Sequence, residues 1–238
     1  MTPDPPGPCR PAVLRMGWED VAFVHWPVPP RSVAGFLPAG VRPDVFDGVT
    51  YIGLVAFRIT RTAPGVGVPL PYLGTFCETN IRLYGVDDEG RRSVVFLSMD
   101  AERLLPVLVA QAGLRLPYVW SSMGLTREGD VLRYRTRRRT GTATSRLALR
   151  VGEPIAEPSS LEHFLTARWG LHVDTYGRTL FLPGRHPRWP LHRAQLLTLQ
   201  DDLVAATGLP APQGPPLVHY SPGVRAEFGL PRQVRPPG

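Results

Sequence analysis

The chain has 238 residues, enough to bury a sizeable core in one large or two small domains. Its hydrophobic fraction of 43% and charged fraction of 20% are those of a folded globular protein, and it has no apolar run long enough for a membrane-spanning helix. The formal charge of +7 rests on 27 arginines without a single lysine, which excludes catalysis through a lysine Schiff base.

Abundant Pro (28) and Gly (24), no lysine and one asparagine indicate a GC-rich coding sequence. Arginine then partly replaces lysine on the surface, and the basic balance argues only weakly for a nucleic-acid partner. The N-terminus lacks the apolar stretch of a secretory signal, so the expected location is cytoplasmic. Cys9 and Cys77 make no disulfide framework and have no Cys or His at ligand spacing. No metal site and no cofactor are expected.

In chain order, residues 1–12 hold five prolines and read as a disordered tail. W-E-D-V-A-F-V-H-W-P (18–27) reads as a first strand closed by prolines, and P-P-R-S-V-A-G-F-L-P as a short helix ended by Pro38. V-T-Y-I-G-L-V-A-F-R-I-T (49–60) is a strand apolar enough to be buried on both faces. A Gly/Pro-rich loop (61–72) precedes F-C-E-T-N-I-R-L-Y (76–84). D-D-E-G (87–90) is a hairpin turn, and V-V-F-L-S-M (94–99) returns beside it. Asp100 sits where an N-cap belongs, which predicts a helix over 101–112 stopped by Gly113, with Pro106 as a fault in it.

A second hairpin joins 131–139 to 144–151. Its Arg133, Arg135, Arg137 and Arg139 share one face, for which a solvated sheet surface is the ordinary account and phosphate binding the alternative. S-S-L-E-H-F-L-T-A-R-W (159–169) is a capped short helix, followed by two or three strands, a short helix near 201–206 and a last strand at L-V-H-Y-S-P-G-V. The pattern predicts an α+β, mainly antiparallel β domain over 13–230, with short helices outside and a tail over 231–238.

Strand 76–84 carries the chemistry. Alternation puts Phe76, Glu78, Asn80, Arg82 and Tyr84 on one face and Cys77, Thr79, Ile81 and Leu83 on the other. An acid, an amide and a guanidinium spaced ~7 Å apart form one polar wall. Glu78 is the candidate acid/base, and Arg82 suits a planar carboxylate through its paired donors. Asn80, the one asparagine, is a candidate ligand contact, as is His25 in H-W-P. The competing account makes Glu78 and Arg82 a structural charge network and His25 a satisfied core or surface histidine. Ser98 and Asp100 lack a nucleophile elbow, and Asp100 reads better as a cap.

V-H-W-P-V, L-P-A-G-V-x-P-D-x-F-D-G, F-C-E-T-N-I-R-L-Y, V-F-L-S-M-D-A, L-P-Y-V-W, H-P-R-W-P-L and V-H-Y-S-P-G-V occur in this order over about residues 15–228. In this the chain resembles the YqjF-like proteins, bacterial proteins carrying a domain of unknown function. The resemblance implies the acetoacetate decarboxylase-like fold, a closed β-cone around a cavity. It makes Glu78 the counterpart of that fold's buried cavity glutamate. It places Tyr118 and Val119 where the decarboxylases have their lysine pair, so Schiff-base decarboxylation is not implied. The expectation is a cavity lined by Glu78, Asn80, Arg82 and Tyr118. It would bind a small anionic or oxygenated organic molecule, with Glu78 and Tyr118 as lysine-independent catalytic groups and Arg82 or Tyr118 holding a carboxylate or enolate oxygen. Alternatives are a non-catalytic interaction protein with a self-filled cavity, and an arginine-hairpin nucleic-acid binder. No membrane partner is expected, and the exposed hairpin could support a homo-oligomer.

Overall fold

The computed structural model describes residues 4–104 and 113–234. Among these are β1 (Leu14–Val28), β2 (Val41–Pro43), β3 (Thr50–Pro64), β4 (Phe76–Asp87), β5 (Arg92–Ala101), β6 (Tyr118–Glu128), β7 (Val131–Arg138) and β8 (Thr144–Pro154). After them come one α-helix, α1 (Ser160–Thr166), and β9 (Gly170–Thr175), β10 (Arg178–Arg185), β11 (His192–Asp201), β12 (Leu217–Phe228) and β13 (Arg232–Gln233). The strands join in one hydrogen-bonded order, β13-β10-β9-β5-β6-β7-β8-β11-β12-β1-β3-β4-β2. Pairing of β4 with β5 turns nine of them, from β5 round to β4, into a closed mixed barrel. Pairing of β10 with β12 closes a second, smaller ring, in which β9 and β10 bridge from β5 to β12.

The two rings share the wall β12-β1-β3-β4-β5, so its central strands are covered on both sides. That is why β1 and β3 read as continuous apolar runs. Ala22, Val24, Ile52, Leu54, Ile81 and Leu83 point into the nine-stranded barrel and pack on Leu132, Tyr134, Leu147 and Leu149. Val21, Phe23, Val55, Phe57 and Ile59 point into the second ring, whose far side is built by α1, β9 and β10. The helix α1 is short but fixed by a capping box, Ser159 with Glu162, and it buries Phe164 and Leu165.

Several local expectations change. The helix expected near 31–37 is two 3-10 turns, Pro30–Ser32 and Ala34–Phe36, because prolines at 29, 30 and 38 leave no room for a longer ladder. The helix expected near 201–206 is likewise a 3-10 turn, Ala205–Thr207. The helix predicted over 101–112 falls mostly on 105–112, outside the described residues. Asp100 does not cap it. β5 continues through Asp100 to Ala101, and the carboxylate turns into the end of the barrel. There it accepts from Ser98 Oγ (2.8 Å), Ser121 Oγ (2.7 Å) and both Nε and Nη2 of Arg138 (3.0 Å each). The Pro-rich segment expected as a disordered tail lies against β10 in its described part, with Asp4 paired to Arg188 at 2.7 Å. At the other end, Arg232–Gln233 forms β13 on β10.

Arg138 belongs to the inward set of β7, while Arg133, Arg135, Arg137 and Arg139 are all exposed, as the solvated-face account requires. Ser93, His172 and Asp87 form a serine–histidine–aspartate line, with Oγ 2.5 Å from Nδ1 and Nε2 2.9 Å from Oδ2. All three are fully buried and Asp87 also binds Arg91, so the line ties β4, β5 and β9 together rather than presenting a nucleophile. No helix among the described residues is long and apolar enough to cross a membrane.

The Asp100–Arg138 pair generates a stability prediction. Asp100 is fully buried and the Arg138 side chain is 14% exposed. Asp100→Ala leaves a buried guanidinium unpaired and is expected to lower unfolding free energy by ~3–5 kcal/mol in urea titration. Arg138→Ala should do the same, and the double variant should lose much less than the sum. Arg135→Ala, on the exposed face of the same strand, should stay within ~0.5 kcal/mol of wild type.

Candidate functional site

The polar face of β4 meets the second ring, not the nine-stranded barrel. Glu78 lies opposite Phe57 on β3 and Ala101 on β5, Asn80 opposite Val55 and Met99, and Arg82 opposite Gly53 and Phe96. Three polar side chains thus stand in a row among apolar neighbours. They border a cavity of about 280 Å³, whose remaining wall is largely Trp18, Phe23, Phe57, Trp189 and Phe228. A larger groove of about 750 Å³ runs along the surface between Pro6–Arg10 and Phe181–Gly184 and contains no β4 residue.

At one end of the row, Tyr118 enters from the start of β6, alongside Met99 of β5. Its hydroxyl donates to Glu78 Oε2 at 2.9 Å, and Asn80 Nδ2 lies 3.5 Å from Glu78 Oε1, at the long limit of a hydrogen bond. Both donors are neutral and no cation pairs with Glu78. Burial therefore dominates and, despite the two hydrogen bonds, holds the Glu78 carboxyl up at about 7, with the Asp100 charge adding to the rise. Burial, and then the neighbouring Glu78 charge, push the Tyr118 phenol well above its ordinary value. Near neutral pH Glu78 can take or give a proton, and Tyr118 stays protonated.

At the other end, Arg82 uses Nε and Nη2 on the Tyr84 hydroxyl (3.2 and 3.1 Å) and Nη2 again on the Leu165 carbonyl (3.2 Å). Its guanidinium carbon lies 5.6 Å from the Phe23 ring centroid. Every acceptor it has among the described residues is neutral, and Nη1 makes no hydrogen bond among them. Tyr84 Oη lies 3.1 Å from Leu165 O and 2.6 Å from His25 Nε2, while His25 Nδ1 is buried without a partner among the described residues. Burial, and then the Arg82 charge, hold His25 neutral, well below its usual range. Gly53 makes room for this crossing: a Cβ there would sit 3.1 Å from Arg82 Cγ and 3.2 Å from His25 Cδ2.

The structure therefore brings Glu78, Asn80, Arg82 and Tyr118 to one cavity and leaves His25 behind it, completely buried and in reach of Arg82 only through Tyr84. It also adds two groups to the cavity wall, Arg168, which the sequence did not single out, and Trp189, which reads in H-P-R-W-P-L as packing. Arg168, after α1, lines the cavity while paired with the buried Asp44 and bonded to Phe164 O at 2.8 Å. Trp189 stacks on Trp18 with centroids 5.7 Å apart and donates to Thr166 O at 3.1 Å, so it is cavity wall as well as packing. Arg168 had no local signal, since it reaches the cavity through long-range closure of the second ring. Among the described residues no group of three His, Cys, Asp or Glu is placed to hold a metal ion.

Comparison with known proteins agrees with this architecture. Residues 15–225 match the model of the family DUF2071, described as an uncharacterized conserved protein. The chain is 29% identical to the uncharacterized protein YqjF of Bacillus subtilis (strain 168) over 212 residues, 88% of this chain and 87% of that one. Among solved structures, the enduracididine biosynthesis enzyme MppR, in complex with the condensation product of pyruvate and imidazole 4-carboxaldehyde, superposes with a TM-score of 0.68. Its identity is 15%, covering 94% of this chain and 90% of that one. An acetoacetate decarboxylase-like enzyme from Sphingomonas wittichii RW1 gives 0.65 at 13% identity, over 95% and 94%. The acetoacetate decarboxylase of Legionella pneumophila gives 0.63 at 12%, over 99% and 90%. The fold is acetoacetate decarboxylase-like.

The raised pKa of Glu78 has a measurable consequence. Below pH ~4.5 the carboxyl is protonated folded or unfolded. Between there and about 7 the unfolded chain gives up this proton while the folded protein keeps it, so stability falls as pH rises, and above about 7 the loss is complete. Glu78→Gln removes that loss. In urea titrations it should exceed wild type by up to ~3 kcal/mol at pH 8, the advantage shrinking toward zero near pH 4.5.

Proposed function

The chain belongs to the DUF2071 family, and on that premise we propose that its second ring binds a small organic acid and exchanges a proton on the carbon next to the acid's carbonyl group. The observation that carries this reading is Arg82. A guanidinium that borders an apolar cavity, is held only by neutral acceptors and has Nη1 unused is a recognition group for a carboxylate. Glu78, roughly two strand repeats along the same face, is the proton acceptor, and the Tyr118 phenol holds its second oxygen in place.

A proton leaves the carbon for Glu78, the negative charge moves onto the carbonyl oxygen, and Arg82 offsets it. Reversal restores the acid, with a solvent proton exchanged in. No covalent bond to the protein forms, consistent with a chain that has no lysine. MppR, described in complex with pyruvate, holds an organic acid of the class proposed here. The volume of about 280 Å³ falls just below the usual range of ligand pockets, ~300–1,000 Å³, which suits a small ligand. That open space separates this reading from an interaction protein whose own side chains fill the ring.

Phenylpyruvate is a suitable probe, its ring suited to the tryptophan and phenylalanine wall. Wild type should bind it with quenching of tryptophan fluorescence and catalyse deuterium uptake at its C3 position from heavy water, followed by proton NMR. Arg82→Met should weaken binding ~10–100-fold. Glu78→Gln should bind within a few-fold of wild type but lose ~10²-fold or more of the exchange rate. Exchange at the wild-type rate in Glu78→Gln overturns the proton-acceptor role, and undiminished binding by Arg82→Met overturns the carboxylate site.

A further inference from the structure

Between the two charged ends of the row stands Asn80, 2% exposed, whose Oδ1 is buried and has no hydrogen-bond partner. The amide orientation follows from its neighbour. With Glu78 ionised, Nδ2 is the atom that can face the carboxylate, which turns Oδ1 away from it. Its strand neighbours cannot satisfy that oxygen, since Val55 and Met99 flank it and offer no side-chain donor. A buried acceptor left bare is unfavourable by ~1–3 kcal/mol, and Asn80 shares its cavity with Glu78 and Arg82.

From this juxtaposition we infer that Asn80 Oδ1 is the acceptor for a hydroxyl group of the ligand, lying between the carboxylate held by Arg82 and the carbon served by Glu78. The inference rests on the organic-acid reading above and deepens it. A ketone oxygen has no proton to give and would meet Asn80 Oδ1 as a second lone-pair bearer. A hydroxyl fits. The ligand class favoured is therefore a hydroxy acid, or the enol form of an oxo acid.

For an oxo acid the step balances within the cavity. Glu78 takes the carbon-bound proton, the C–H electrons become the carbon–carbon double bond, the carbonyl π pair moves onto oxygen, and that oxygen takes a proton back from Glu78. Glu78 begins and ends as a carboxylate, and the new O–H donates to Asn80. Asn80 then binds the enol better than the ketone, which shifts the equilibrium in the cavity toward the enol.

The test uses three acids of one skeleton: 3-phenyllactate, its O-methyl ether and 3-phenylpropionate. Affinities are measured by calorimetry with wild type, Asn80→Leu and Arg82→Met. Wild type should prefer the hydroxy acid to the other two by about tenfold or more. Asn80→Leu should bring the hydroxy acid to within about twofold of 3-phenylpropionate while leaving 3-phenylpropionate little changed. Equal or tighter binding of the methyl ether by wild type overturns the inference without needing any variant. Persistence of the hydroxyl preference in Asn80→Leu also overturns it, because the hydroxyl then donates elsewhere. If none of the three binds in an Arg82-dependent way, the organic-acid reading fails and this inference with it. Absence of the hydroxyl preference in wild type, with binding still dependent on Arg82, refutes the Asn80 assignment alone.

Discussion

A guanidinium enclosed without a carboxylate is the constraint on which the second ring depends. Removing such a charge from water is unfavourable by several kcal/mol unless other groups replace its hydration. For Arg82 the replacements are the Tyr84 hydroxyl, the Leu165 carbonyl and the faces of Phe23 and Tyr84. Each comes from a different part of the chain. Leu165 O is available because α1 ends there, Tyr84 because β4 continues past the bulge between Ile81 and Arg82, and His25 because β1 brings its ring under the Tyr84 oxygen. The neutral cradle fixes where the cation sits without neutralising its charge.

The same logic separates the two sides of the shared wall. On the barrel side, Asp100 is compensated completely, by a two-pronged arginine and two serine hydroxyls. That is how a charge is buried for structure. On the ring side, Glu78 and Arg82 share β4 but are not paired. Glu78 has two neutral donors, Arg82 three contacts to neutral oxygens, and both border the cavity. A purely structural network of the kind the sequence allowed would have brought the two charges together.

Alternation along residues 76–84 was enough to place Glu78, Asn80 and Arg82 on one face, because period two is a local property of a strand and does not depend on what lies beyond it. Depth is not local. His25 shares its face of β1 with Val21 and Phe23, yet Tyr84 covers it, and no pattern within W-E-D-V-A-F-V-H-W-P encodes a tyrosine arriving from β4. Asp100 misled for a related reason. An aspartate ahead of A-E-R-L-L has the local chemistry of a helix cap, and what kept it in the strand was Arg138, 38 residues later. The motif order pointed to the cavity fold, while the division into a packed nine-stranded barrel and an adjoining cavity-bearing ring depends on two pairings, β4–β5 and β10–β12, that no single segment contains.

Asn80 explains why the acid and the cation can share a face at all. Glu78 and Arg82 are four residues apart, ~13 Å along an extended strand, and only side chains reaching toward each other would close that gap. Arg82 is turned away by Tyr84 and Leu165, and the position between is filled by a group that cannot carry charge. An aspartate at 80 would draw the guanidinium inward and raise Glu78 further; an arginine would pair with Glu78 and return it to an ordinary carboxylate. The neutral amide keeps Glu78 governed by burial and Arg82 governed by its neutral cradle. In a chain without lysine, an acid/base group and a charge to offset it would have to be different residues, and the spacing of this strand keeps Glu78 and Arg82 apart.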